Sequence, residues 1–290
     1  MYEKNMELII PTWNRVKYLD RTPSHFSKSP FLEYNVTIID YNSTDNTREI
    51  YKKYEKIFPQ LKIIKNNKNI DRLTNILHCY EIPTSTYLWL VGDNDNYDFS
   101  NCFQIIDIIE KSDFDLIFVQ DYDKFNLTTI STHELYEKGH CNHFIMIFST
   151  ITTFILKTEL YTPKYIQEEY FMVKYGFPHF TFANKVSEEN FSIYIFPFQM
   201  RPSDENQNDS FNSLGLIKGW ISSNLIFEKK YMKEGIRYFR GIYAILSFVI
   251  RVILLVKINQ IENYRRNITD LIISLFRAKK DFNRFILYNY

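Results

Sequence analysis

Residues Leu88–Asp95 read LWLVGDND. Four large apolar side chains in succession suit a strand buried on both faces. The run stops at Gly92, and two carboxylates spaced two residues apart follow it. Working outward, Met6–Ile10, Asn35–Asp40 and Leu61–Lys65 are further strand candidates, with Tyr87–Val91 the fourth. Between them Asp45–Phe58 and Ile70–Tyr80 carry helical periodicity. Strands alternating with helices through short connections predict an α/β fold with a parallel sheet and crossover helices.

Ligands bind such sheets at the carboxyl ends of the strands. The polar residues directly after each strand are therefore the candidate functional residues. They are Pro11-Thr12-Trp13-Asn14-Arg15, Asp40 through Thr47, and Gly92-Asp93-Asn94-Asp95. All three clusters are expected to meet at one edge of the sheet. Further along, Phe103–Lys111 looks helical, while Leu116–Gln120 and Thr152–Leu156 look like strands. Ser203–Ser213 is polar enough to be a loop or lid, and helical patterning resumes from Leu216 to the end.

Composition narrows the chemistry. The chain has 290 residues and 45% hydrophobic content, ample for a core. It has 25 Phe, 22 Tyr and 3 Trp but only seven glycines, the first being Gly92. Neither a GxGxxG turn nor a GxxxxGK(S/T) loop can be written, which excludes a dinucleotide-binding Rossmann enzyme and a P-loop NTPase. Any nucleotide must be handled by side chains or a metal. Cys79, Cys102 and Cys141 lack CxxC spacing, so neither a disulfide framework nor a zinc site is expected, and a reducing compartment fits better. The polar N-terminus shows no signal peptide.

The net charge of +1 is uneven: residues 229–290 carry 13 Lys/Arg against four Asp/Glu, leaving an acidic body. Such a tail predicts an anionic partner, with lipid first and nucleic acid second. We read it as membrane and not nucleic acid. Lys229, Lys233, Arg240, Ser247 and Arg251 fall in one helical stripe opposite an apolar face, as in an interfacial helix. The longest apolar stretch, Gly241–Ile258, is broken by Arg251 and Lys257, so it does not read as a membrane span. The same helices could pack in a bundle or a homo-oligomer.

Asp93 and Asp95 offer hard oxygen ligands of the kind Mg²⁺ and Mn²⁺ prefer, with positions left for phosphate oxygens. One carboxylate on the metal and one on a sugar hydroxyl is a workable division. An isolated DxD is usually a solvated turn or an Asx cap. Its place behind a buried strand in a βα array favours the metal. Asp40 can accept from a uracil N–H or a ribose hydroxyl, and Ser43 or Thr44 is placed to N-cap the helix from Asp45.

Taken together, IIPTWNR (Ile9–Arg15), IIDYNSTDNT (Ile38–Thr47) and LWLVGDND (Leu88–Asp95) resemble, in order and spacing, the successive signatures of family 2 glycosyltransferases of the GT-A fold. The resemblance implies a Rossmann-like, mostly parallel sheet flanked by helices. Residues 1–98 would form its nucleotide-sugar half, 99–215 its acceptor half, and 216–290 a C-terminal helical extension. It implies inverting transfer of a hexosyl or N-acetylhexosaminyl group from a nucleotide-diphosphate sugar, UDP-sugar favoured. The acceptor would be a hydroxyl of a glycan or lipid-linked molecule in polysaccharide biosynthesis, at the cytoplasmic face of the membrane. Donor contacts would fall to Pro11, Thr12, Asn14, Arg15, Asp40, Asn42, Ser43, Arg72, Asp93 and Asn94. Asp95 and Asp93 would hold Mn²⁺ or Mg²⁺, and Arg201, Asn208 and Ser210 would sit in a lid.

The chain departs from the family pattern in three places. Asn42 stands where glycine is usual, and asparagine tolerates the left-handed backbone glycine would supply. Tyr41 replaces a frequent second aspartate. The acidic general base common near the start of a later helix is missing from GFPHFTF (Gly176–Phe182), where His179 takes its place, with Glu169 and Glu168 as alternatives. This last departure sustains a rival reading, a catalytically silent sugar-nucleotide-binding scaffold. A nucleotidyltransferase would need the missing glycine-rich loop.

Overall fold

The structure, a computed structural model, describes residues 5–93, 95–119, 129–137, 151–173, 189–198 and 200. Strands β1 (Met6–Thr12), β2 (Asn35–Asp40), β3 (Leu61–Lys65) and β4 (Tyr87–Leu90) form where the apolar runs placed them. Helices α2 (Thr47–Tyr54) and α3 (Arg72–Glu81) make the crossovers after β2 and β3, each shorter than its periodic stretch. Between β1 and β2 lie α1 (Arg21–Phe26) and a 3₁₀ turn (Pro30–Glu33), in a segment with no visible period. Six residues interrupted by Pro23 are too few to show one.

Downstream come α4 (Cys102–Lys111), β5 (Leu116–Phe118), β6 (Thr129–Ser131), α5 (Thr132–Glu137), β7 (Phe154–Lys157), α6 (Pro163–Met172) and β8 (Ser192–Ile195). One eight-stranded sheet runs β3-β2-β1-β4-β7-β5-β8-β6. The pairs from β3 through β4 and the β5–β8 pair are parallel, while β7 runs against both β4 and β5 and β6 runs against β8. Because the sheet continues from β4 into β7, residues on both sides of position 98 share it.

Alternation along each strand fills two layers. Ile9, Ile39, Leu88 and Leu90 pack with Leu77 and Tyr80 of α3 on one face. Leu8, Ile10, Val36, Ile38 and Trp89 pack with Phe26, Phe31, Tyr51 and Tyr54 on the other. Burying each large apolar side chain contributes about 1.5–3 kcal/mol. Here the unusual aromatic content finds its use. The Trp89 ring meets Phe26 and Phe31 at 5.7 Å and Tyr97 at 5.6 Å, all edge-on. Its indole N–H donates to the Thr152 carbonyl at 3.1 Å.

Candidate active site

The chain leaves β1 toward β2 on one side and reaches β4 on the other, so the strand order reverses between β1 and β4. Such a switch point opens a crevice at the carboxyl ends of the strands. Register places Thr12 beside Asp40 at the ends of β1 and β2. From the other side, Asp93 follows β4, and the Thr12 hydroxyl donates to its Oδ2 at 3.0 Å. Arg15 Nε donates to Asp93 Oδ1 at 3.4 Å, and its guanidinium lies 4.5 Å from the centre of the Tyr18 ring. Thus the three predicted clusters meet.

Asp93 is 8% exposed. Burial pushes its carboxyl above the ordinary range, outweighing Arg15 and Thr12, and the Asp95 charge adds to the rise. Asp95 is 3% exposed, and its Oδ2 accepts from the Tyr97 hydroxyl at 3.1 Å. The Asp95 carboxylate lies directly on Gly92: a Cβ there would come 2.5 Å from Asp95 Oδ2 and 2.8 Å from Cγ. Gly92 is therefore a glycine because Asp95 occupies the space of a side chain.

The loops after β1 and β2 are sewn together through Asn14. Its backbone is left-handed, with φ 53°. The Asn14 N–H donates to Ser43 Oγ at 2.9 Å, and Asn14 Oδ1 accepts from the N–H of Thr44 at 2.8 Å and of Asp45 at 3.4 Å. Asn42 has φ 66°, the conformation expected where relatives carry glycine. Asp40, 1% exposed, accepts from the Ser43 N–H at 2.8 Å.

One expectation about this region is corrected. Neither Ser43 nor Thr44 caps a helix: α2 starts at Thr47, and Asp45 Oδ1 accepts from the Thr47 N–H at 3.0 Å while Asp45 Oδ2 accepts from the Val16 N–H at 3.1 Å. Burial works against the Asp45 charge, but hydrogen bonds from Thr47 and Val16 outweigh it and hold the carboxyl below its ordinary range. Tyr41, standing where a second aspartate is frequent, is a core residue. It is 2% exposed, and its hydroxyl donates to the Asn75 carbonyl inside the core.

A hollow of about 390 Å³ adjoins the stitched loops, lined by Asn14, Val16, Lys17, Tyr18, Thr44 and Asp45. Replacing Asn14 by Ala removes the stitch and strains a left-handed residue, each worth about 1 kcal/mol. Thermal unfolding is expected to show Asn14→Ala less stable than Asn14→Gly, which keeps the backbone but not the side-chain acceptor.

Other candidates fall elsewhere. Pro11 is half-buried within β1, and Arg72 is exposed in the first turn of α3, beside the capping Asp71. Glu168 and Glu169 are buried on α6. Glu169 accepts from the Tyr161 hydroxyl, and Tyr161 stacks on Tyr80 at 4.3 Å. Tyr161 follows β7, whose last residue Lys157 pairs with Tyr87 at the start of β4. That is the end of the sheet opposite Asp93, so the structure does not bring these glutamates to the carboxylate cluster. Asn94, His179, Arg201, Asn208, Ser210 and the segment 216–290 lie outside the described residues. Thr22 and Tyr97 touch Asp95 and His25 bonds the Tyr97 carbonyl; no sequence pattern announces α1, which carries Thr22 and His25.

The donor set fits a divalent cation. Among the described residues no group of three or more His, Cys, Asp or Glu forms a self-contained metal cage. Two carboxylates at a strand end, with the remaining positions left for phosphate oxygens, suit Mg²⁺ or Mn²⁺.

Several comparisons agree on the architecture. Residues 1–349 of S. aureus TarS align over 94% of this chain and 80% of that one, at 14% identity and TM-score 0.63. The same protein in complex with UDP-GlcNAc aligns over 94% and 81%, at 13% identity and TM-score 0.62. These likenesses establish the GT-A fold. An uncharacterized glycosyltransferase, the MG060 homolog of Mycoplasma pneumoniae, is 30% identical over 100 residues, which is 34% of this chain and 33% of that protein. This chain thus matches only about a third of that curated relative's length. No helix among the described residues is long and apolar enough to cross a membrane. The model of glycosyl transferase family 2 matches residues 7–187, more than half of the chain, and the chain therefore belongs to that family.

Proposed function

We propose that this chain is a metal-dependent, inverting glycosyltransferase that takes a UDP-sugar as donor and a glycan or lipid-linked hydroxyl as acceptor. The observation that carries the reading is the Thr12–Asp93–Arg15 cluster, with Asp95 beside it, at the point where the strand order reverses. Asp40, fixed by the Ser43 N–H, keeps acceptor capacity for the base or ribose of the donor. Arg15, half-exposed beside Asp93, lies where it can pair with a diphosphate. Asp93 and Asp95 would hold Mn²⁺ or Mg²⁺, which supplies Lewis-acid stabilisation of the departing diphosphate. His179 is the proposed general base, since an imidazole with an ordinary pKa of about 6.5 can take the acceptor proton near neutrality. The basic stripe of 229–290 would hold the protein against anionic lipid at the cytoplasmic face.

A thermal-shift panel tests the donor reading, because a specific ligand raises stability by mass action. UDP, GDP and their sugars would be compared with and without Mn²⁺, beginning with UDP-GlcNAc, which TarS binds in its complex. A Mn²⁺-dependent rise with a UDP-sugar is expected, and no rise with any donor would remove the reading. Transfer assays on His179→Gln should then show turnover lost but donor stabilisation kept. Donor binding without turnover in the unaltered protein would instead identify the silent scaffold. Sedimentation of the full chain with anionic but not neutral vesicles is the expected result for the tail.

A further inference from the structure

Helix α1 reaches the carboxylate turn by a route that the donor reading does not use. Thr22 is fully buried. Its hydroxyl donates across the fold to the Gly92 carbonyl at 2.7 Å, with a longer arm to the Asp95 carbonyl at 3.1 Å. One turn on, His25 Nδ1 lies 3.0 Å from the Tyr97 carbonyl, and since a carbonyl only accepts, that nitrogen carries the hydrogen. Phe26 packs on Tyr97 at 5.2 Å and on Phe99 at 4.7 Å between ring centres. Tyr97 in turn donates its hydroxyl to Asp95 Oδ2 at 3.1 Å.

The backbone on both sides of the Asp93–Asp95 turn is thus tied to one short helix. The Asp95 carboxylate is confined by Gly92 on one side and by Tyr97 on the other. A metal-binding carboxylate must be held within roughly 0.5 Å of its working position by its surroundings. We infer that Thr22 and Tyr97 are positioning residues of the cation and donor site. Thr22 fixes the Gly92 and Asp95 carbonyls, and Tyr97 fixes the rotation of the Asp95 carboxylate. The inference rests on the glycosyltransferase reading above.

The test uses full-length Thr22→Val, Thr22→Ser and Tyr97→Phe. Free Mn²⁺ is titrated by electron paramagnetic resonance in the presence of UDP, and thermal midpoints are measured without metal. Loss of a partner behind a ligand weakens metal affinity about 10- to 100-fold. Thr22→Val and Tyr97→Phe should show a weakening of about tenfold, while Thr22→Ser, which restores the hydroxyl, should bind as the unaltered protein does. A purely structural Thr22 would lower the midpoint and leave Mn²⁺ affinity unchanged, which overturns the inference. Equal weakening in Thr22→Val and Thr22→Ser also overturns it. If Thr22→Val fails to fold, Tyr97→Phe decides, because its ring packing is retained. Failure of the unaltered protein to bind Mn²⁺ with UDP removes the metal-dependent UDP-sugar reading itself, an outcome distinct from normal binding by the variants.

Discussion

Asp93→Asn is expected to lower sugar transfer about a thousandfold while leaving the metal-free protein as stable as before, or more so. Loss of a metal-held charge removes about 4 kcal/mol of transition-state stabilisation, and each 1.36 kcal/mol is tenfold in rate. The stability half of the prediction follows from the sign of the Asp93 shift. Its folded carboxyl is raised, first by burial and further by Asp95. A raised carboxyl favours the fold most when protonated. That contribution is complete below the ordinary carboxylate range and is lost as pH rises through the raised value. At neutral pH the ionised side chain therefore works against the fold. Asparagine removes the charge and keeps an oxygen that can accept from Arg15. Thermal unfolding at pH 7 should show an equal or higher midpoint for the variant, and the difference should close as the pH falls toward 4. A large loss of stability together with retained Mn²⁺ binding would show that Asp93 is a structural anchor.

Gly92→Ala should separate activity from stability in a different way. The atoms nearest the new methyl group all belong to the Asp95 carboxylate. Moving that carboxylate gives up its bond from Tyr97, which is offset in part because an alanine loses less entropy on folding than glycine. A stability change below about 1 kcal/mol is expected, with Mn²⁺ affinity and turnover reduced about 10- to 100-fold. Gly92→Val should be worse for both, because its branched side chain fills more of the same space. Full activity in Gly92→Ala would mean that Asp95 works from another position.

Much of this was legible from residues 6–95 alone. Leu88–Val91 is a continuous apolar run because a strand inside the sheet is covered on both faces, while Asn35–Asp40 and Leu61–Lys65 show as β-branched clusters, and both signals survive without knowledge of partners. Asn42 could be assigned a left-handed backbone from its residue type and place. Ser43 was misread because Ser before an apparent helix start usually caps it. Here the partner that claims Ser43 is Asn14, 29 residues earlier. Strands β6 and β8, of three and four residues, are too short to show a period.

The chain by itself determined the βα alternation, the carboxylates that end β4, and the absence of any glycine-rich phosphate cradle. Those are local properties, set by side-chain period and by which residue types occur. Tertiary structure decided which of the polar residues act together. Thr12 and Asp93 are 81 positions apart and become hydrogen-bonded only because β4 pairs with β1 on the side away from β2. Glu169, chemically suited to be a base, accepts from Tyr161, which follows a strand that ends beside the start of β4. Gly92 owes its identity to a carboxylate folded back onto it, and Thr22 its importance to two carbonyls about 70 residues away. A hydrogen bond or a steric clash depends on distance in space, and sequence patterns report only the neighbours along one helix or strand.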